Sequence, residues 1–172
     1  GPMDFTPVTF RFVNDVMPQT RVHTTLAKQL ALFVVLYSPL QMASDEIENY
    51  EANPEPFNFI VSCPTDWSRT VVPEACIGSY VTIARCDKGE GYWYIGSITG
   101  DEERTANISL SFLDTDKRYL ATIYRDAPEA DYETCPAAIL IEEREVTYSD
   151  TLTIRQARSG GTAVRLCPIK DS

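Results

Sequence analysis

Two hydrophobic rhythms divide the chain near residue 67. Before it, apolar residues gather with helical spacing. Thr24 or Thr25 is placed to cap a helix running through Leu26, Ala27, Leu30, Ala31, Phe33, Val34, Val35 and Leu36. Apolar residues fill almost every position of 30–36, which predicts a helix buried nearly all round. Pro39 should stop or kink it. Asp45, Glu46 and Glu48 fit the first turn of a short helix, where the macrodipole favours anions. Pro54, Pro56 and Pro64 punctuate the stretch beyond it, with a helical turn or two around 57–61 and Phe57, Ile60 and Val61 facing inward.

After Trp67 the period becomes two. Residues 80–85, 92–98, 107–112, 119–124, 138–141, 145–148, 151–154 and 163–166 alternate. Turn signals separate them: Gly89 to Gly91, Gly100-Asp101, Asp114 to Lys117, Pro128 and Ser159-Gly160-Gly161. Short strands at this spacing, about seven or eight of them, predict an antiparallel β-sandwich over 68–172. The apolar helix before it has too little partner surface within 1–67, so the sandwich, a second chain or further sequence must cover it.

Charge narrows the partners. The chain has 25 acidic and 15 basic residues, a net −10 spread evenly over both parts. Such a surface repels phosphate backbones and anionic lipid, so neither nucleic acid nor a membrane surface is expected as a partner. The most apolar segment, 30–37, is far shorter than a membrane span, and no signal peptide is visible. Five cysteines, Cys63, Cys76, Cys86, Cys135 and Cys167, lack C-x-x-C pairing, and His23 is the only histidine, so no zinc spacing exists. They read as small buried apolar residues, with one disulfide left open for an exported protein.

Candidate chemistry is sparse. His23, just before a helix, reads as a backbone-bonding residue. Glu142, Glu143 and Glu145 read as a solvated strand edge that discourages sheet pairing. Asp126, Glu129 and Asp131 lack the order of a calcium loop and read as a charged turn. Asn107-Ile108-Ser109 matches a glycosylation sequon, a pattern common by chance. Tyr92, Trp93 and Tyr94 suggest a sugar platform, but alternation sets Trp93 opposite the two tyrosines. Trp93 should fill the core and leave the tyrosines at a surface or domain interface.

Several stretches, taken in order, resemble glycoside hydrolase family 97. They are Gly1-Pro2-Met3-Asp4-Phe5-Thr6-Pro7, Arg21-Val22-His23-Thr24-Thr25-Leu26-Ala27-Lys28-Gln29-Leu30-Ala31 and Tyr37-Ser38-Pro39-Leu40-Gln41-Met42-Ala43 with Glu48-Asn49-Tyr50. Further on come Gly78-Ser79-Tyr80-Val81-Thr82-Ile83-Ala84-Arg85, Trp93-Tyr94-Ile95-Gly96-Ser97-Ile98-Thr99, and Ser159-Gly160-Gly161 with Val164-Arg165-Leu166. The resemblance covers essentially the whole chain. Val8 departs from it, since the family usually has glycine after the Thr-Pro. Gly1-Pro2 read as native, with a tag-removal scar before Met3 as the open alternative.

The resemblance implies bacterial exo-acting α-glucosidases and α-galactosidases built from an N-terminal sandwich, a (β/α)8 barrel and a C-terminal sandwich. Residues 1–67 would be the C-terminal remnant of the barrel, mainly helical, and 68–172 the closing sandwich. A whole barrel needs about 250 residues, so the oligosaccharide substrate, the catalytic carboxylates and the implied Ca²⁺ would be held upstream. No catalytic residue and no metal ligand is therefore assigned in this chain. Asp4 and Phe5, near the end of the last barrel strand, are the substrate-lining candidates: a hydroxyl acceptor and an apolar wall. The chain is expected to brace the barrel, to aid homo-oligomerisation and to be inactive alone. A periplasmic or secreted location is a family expectation. The alternative is a non-catalytic β-sandwich module that binds carbohydrate or protein by itself.

Overall fold

The computed structural model describes residues 24–35, 54–64, 67–76, 78–135 and 137–170. Asp4, Phe5, His23, Pro39 and the helix expected from Asp45 lie outside the described residues, as do the side chains of Phe57, Ile60 and Val61. Within them are two helices, α1 (Leu26–Val35) and α2 (Pro54–Ser62), succeeded by eight strands. The strands are β1 (Trp67–Cys76), β2 (Tyr80–Asp87), β3 (Trp93–Thr99), β4 (Arg104–Ser109), β5 (Tyr119–Asp126), β6 (Ile139–Val146), β7 (Thr151–Gln156) and β8 (Gly161–Pro168).

All pairing is antiparallel. One sheet runs β1-β2-β3-β8-β5-β6 and the other pairs β4 with β7. Alternation explains the arrangement. Ala84, Trp93, Ile95, Tyr119, Ala121, Ile123, Val164 and Leu166 point inward from the large sheet, meeting Ala106, Ile108, Leu152 and Ile154 from the small one. Each fully buried side chain of the larger apolar types contributes about 1.5–3 kcal/mol. The antiparallel sandwich expected from the sequence is thus present.

Strand detail differs in three places. β1 escaped the periodicity because it is an edge strand. Polar and apolar residues mix on both its faces, Pro73 interrupts it, and its register breaks between Trp67 and Arg69 and again between Val71 and Glu74. Residues 139–146 form one strand rather than two, since at the opposite edge Glu142, Glu143 and Arg144 need no alternation. β4 stops at Ser109, with Leu110 and Phe112 entering a turn that still packs on the core.

α1 begins where expected: the Thr25 hydroxyl accepts the Lys28 amide at 3.3 Å, an N-cap. Only Lys28 and Leu32 of the helix are more than slightly exposed. α2 starts at Pro54, the favoured first-turn position, with Glu55 beside the positive end of the dipole. Its Phe59 is fully buried.

Candidate functional site

The chemistry of this molecule concentrates on the outer face of the large sheet, where α1 and α2 dock. On β3 the outward row is Tyr94, Gly96 and Ile98, and on β8 it includes Ala163. Gly96 permits the closest approach. A β-carbon there would collide with the Ala31 carbonyl oxygen, so helix and sheet backbones touch. Phe59 sets its ring edge-on to Tyr124 at 5.2 Å and to Tyr94 at 6.0 Å, and Trp67 packs on Tyr94 at 5.5 Å. The Tyr94 hydroxyl donates to the Ser62 carbonyl at 2.8 Å, closing the end of α2.

The sheet also supplies opposite charges to the two ends of α1. At the C-terminal end, Arg85 of β2 donates from Nε to the Val34 carbonyl at 2.7 Å and from Nη2 to the Val35 carbonyl at 3.2 Å. At the N-terminal end sits Asp126, the last residue of β5 and only 4% exposed. Its Oδ2 accepts the amides of Ala157 at 2.9 Å and Gly161 at 3.0 Å. Burial holds its carboxyl above the usual range, while hydrogen bonds from the Thr25 hydroxyl and the two amides pull the other way. Lys28 donates to the Thr99 carbonyl at 2.7 Å; burial lowers its pKa, with Asp101 and Asp126 opposing. Anion at the N-terminus and cation at the C-terminus both complement the helix dipole.

This arrangement holds rather than reacts. Burial pushes the Cys63 thiol up to about 12, with Arg85 only partly opposing, because its sulfur lies deep although the residue is partly open to solvent. Among the described residues no group of three His, Cys, Asp or Glu side chains is placed to hold a metal ion.

The structure scatters the sequence candidates. Asp4, Phe5 and His23 are outside the described residues. Trp93 fills the core, with Phe112 at 4.7 Å, and Tyr94 lies at the helix–sheet interface, as alternation required. Glu142, Glu143 and Glu145 do lie on an edge strand, where Glu142 meets Arg125 and Glu145 meets Arg118, both at 3.5 Å. Asp131 and Glu129 form a charged turn, Asp131 held by Arg158 at 2.8 Å. Asp126 does not belong with them: it is buried and bound by amides, because the chain turns only after it. The cysteines also need correcting. Only Cys86 is buried, Cys76 is exposed, the other three are half-buried, and all five are free. Cys76 and Cys167 lie at strand ends and Cys135 in the connection between β5 and β6, which leaves these thiols near the surface.

Sequence reasoning missed Arg85 and Asp126 as organisers. A signal existed for Arg85, which ends the apolar outward row of Val81 and Ile83. A solvated arginine would break that row, whereas a capping one continues it.

A family model described as "Glycosyl-hydrolase 97 C-terminal, oligomerisation" matches residues 66–167. A retaining α-galactosidase of Bacteroides thetaiotaomicron is 32% identical over 96% of this chain and 25% of its own length. A glycoside hydrolase family 97 enzyme from Pseudoalteromonas sp., solved in complex with acarbose, is 44% identical. It superposes with a TM-score of 0.93 over 99% of this chain and 27% of its own. A β-arabinopyranosidase structure at 22% identity shares the fold, with a TM-score of 0.69 over 85% of this chain and 22% of its own. The chain therefore spans about a quarter of the length of the relatives it matches. With a family model covering most of it and its architecture shared almost throughout, the chain belongs to the glycosyl-hydrolase 97 C-terminal family.

Proposed function

We propose that this chain is the C-terminal part of a family 97 α-glycosidase acting on terminal α-glucosides or α-galactosides. It braces the barrel and joins subunits, with no catalysis of its own. Residues 1–67 would be the end of the (β/α)8 barrel and 68–172 the closing sandwich. The observation that carries this reading is the seating of α1 on Gly96, capped at both ends by sandwich residues. A helix preceding the sandwich is packed and hydrogen-bonded onto it, which is what a brace between two domains requires.

Catalysis by two carboxylates about 5–9.5 Å apart, and the Ca²⁺ implied by the family resemblance, would then reside upstream in the parent enzyme, in a periplasmic or secreted setting. The test has two parts. Pure 172-residue chain should not hydrolyse aryl α-glucosides or α-galactosides, with or without calcium, and steady turnover would overturn the non-catalytic role. The natural protein, captured from its source cells, should show an intact mass several-fold above 19.3 kDa. A natural mass near 19.3 kDa would overturn the reading as part of a longer enzyme.

A further inference from the structure

Among the described residues, the outer face of the large sheet is only partly occupied. α1 and α2 cover the region of Tyr94, Gly96, Tyr124 and Ala163. Farther along the same strands the face continues beyond the two helices. Register sets Leu120 of β5 beside Cys167 of β8 on one side and Glu145 of β6 on the other. In the adjoining row Thr122 stands between Arg165 and Glu143. Leu120 is 36% exposed, among the more open large apolar side chains of the described residues. Beside it lies a hollow of about 370 Å³ whose walls are Tyr92, Cys167 and Pro168, with Glu90 and Lys170 at its rim. Arg165 stacks over the Tyr92 ring at 5.1 Å, and its Nε is buried without a hydrogen-bond partner.

We propose that this patch is the contact through which two copies of the chain associate. The inference deepens the subunit-joining role above and rests on it. Three observations converge. First, the matched oligomerisation model, residues 66–167, contains Tyr92, Leu120, Arg165 and Cys167 but neither helix. Second, the sheet edges resist strand addition. β1 carries Pro73 and two register breaks, and β6 carries Glu142, Glu143 and Glu145.

Third, the charge of the patch is self-complementary. A net −10 opposes self-association. The patch, however, sets Glu90, Glu143 and Glu145 among Arg165, Lys170 and Arg118. A two-fold contact presents the same patch to itself, so acids on one copy meet bases on the other. A tyrosine–arginine pair beside an exposed leucine is also the composition of an interface centre. Four strands at about 4.8 Å spacing give a core that flanking loops would extend toward the roughly 800 Å² per partner of a standard interface.

Sedimentation of the 172-residue chain over a range of concentrations tests this. The unmodified chain should reach twice its monomer mass. Leu120→Glu should return it to monomer, and Glu143→Lys, at an exposed position, should weaken dimerisation several-fold. Leu140→Glu, an equally exposed leucine on the other face of β6, should leave the dimer intact. Circular dichroism and thermal melting report whether Leu120→Glu is folded; should it unfold, Glu143→Lys alone decides. Dimerisation as tight in the patch variants as in the unmodified chain would overturn this contact while leaving the subunit-joining role standing. A chain that stays monomeric at every concentration would overturn both.

Discussion

Arg85 Nε lies 2.7 Å from the carbonyl oxygen of Val34, so the last turn of α1 is closed by a side chain from the sheet beneath it. A helix end leaves four carbonyls without intrahelical partners, and burial would make each costly. Here one guanidinium serves Val34 and Val35 together and also reaches the Thr70 hydroxyl. Arg85→Leu should therefore destabilise the chain by about 2–3 kcal/mol, the cost of stranding buried acceptors. Arg85→Lys should fall between the two, since an ammonium lacks the planar fork. Urea denaturation of the three proteins decides it, and an unchanged midpoint for Arg85→Leu would mean that Arg85 does not cap the helix.

Much of this was written in the residues. The sandwich was legible because Ile108, Ile123 and Val164 obey strict alternation, and the start of α1 because Thr25 precedes an apolar helical run. What was illegible depends on tertiary partners. β1 shows no alternation because one of its sides pairs with nothing among the described residues. Asp126 looks like any turn aspartate until the β7–β8 turn brings two amides and the α1 cap to it. The outer face could not be read as a docking surface, because a sequence shows which residues point away from a core but not what waits there.

Gly96 offers a sharper test of the docking. Its missing side chain faces backbone, the Ala31 carbonyl, with Val34 and Val35 also within about 3.0 Å of a β-carbon placed there. Backbone cannot swing aside as a flexible side chain can. Gly96→Ala should cost at least the roughly 1–3 kcal/mol typical of overpacking and lower the melting temperature. Gly89→Ala, where nothing lies within 4 Å, should be close to neutral. Equal melting temperatures for both variants would mean that α1 does not sit on Gly96.

Asp126 sets a pH dependence with a definite sign. Its folded pKa is raised above the ordinary value of 3.8, chiefly by burial. Between the two values the folded state binds more protons than the unfolded one, so stability falls as pH rises through the folded pKa. Asp126→Asn keeps an oxygen for the amides of Ala157 and Gly161 but cannot ionise. The stability of Asp126→Asn relative to the native chain should therefore climb as pH rises from below 3.8 toward neutrality. Subtracting one urea midpoint series from the other cancels the remaining carboxylates. A difference that stays flat, or falls, contradicts the assignment.

The thiols give a last and independent check on the depth of the helix–sheet seam. Cys63 comes directly after α2 and has its thiol pushed to about 12 by burial. At pH 8 only about one molecule in ten thousand would carry the thiolate that reacts with alkylating agents. Cys76, at the end of β1, is exposed. Iodoacetamide should thus label Cys76 within minutes and leave Cys63 unmodified until the chain is unfolded, as peptide mass spectrometry can monitor. The ordering also reports on docking, because a variant that frees α1 and α2 from the sheet opens Cys63 without disturbing Cys76. Gly96→Ala and Arg85→Leu should both accelerate Cys63 labelling. Rapid labelling of Cys63 in the unmodified chain would mean that α2 does not close over the seam between Phe59 and Tyr94.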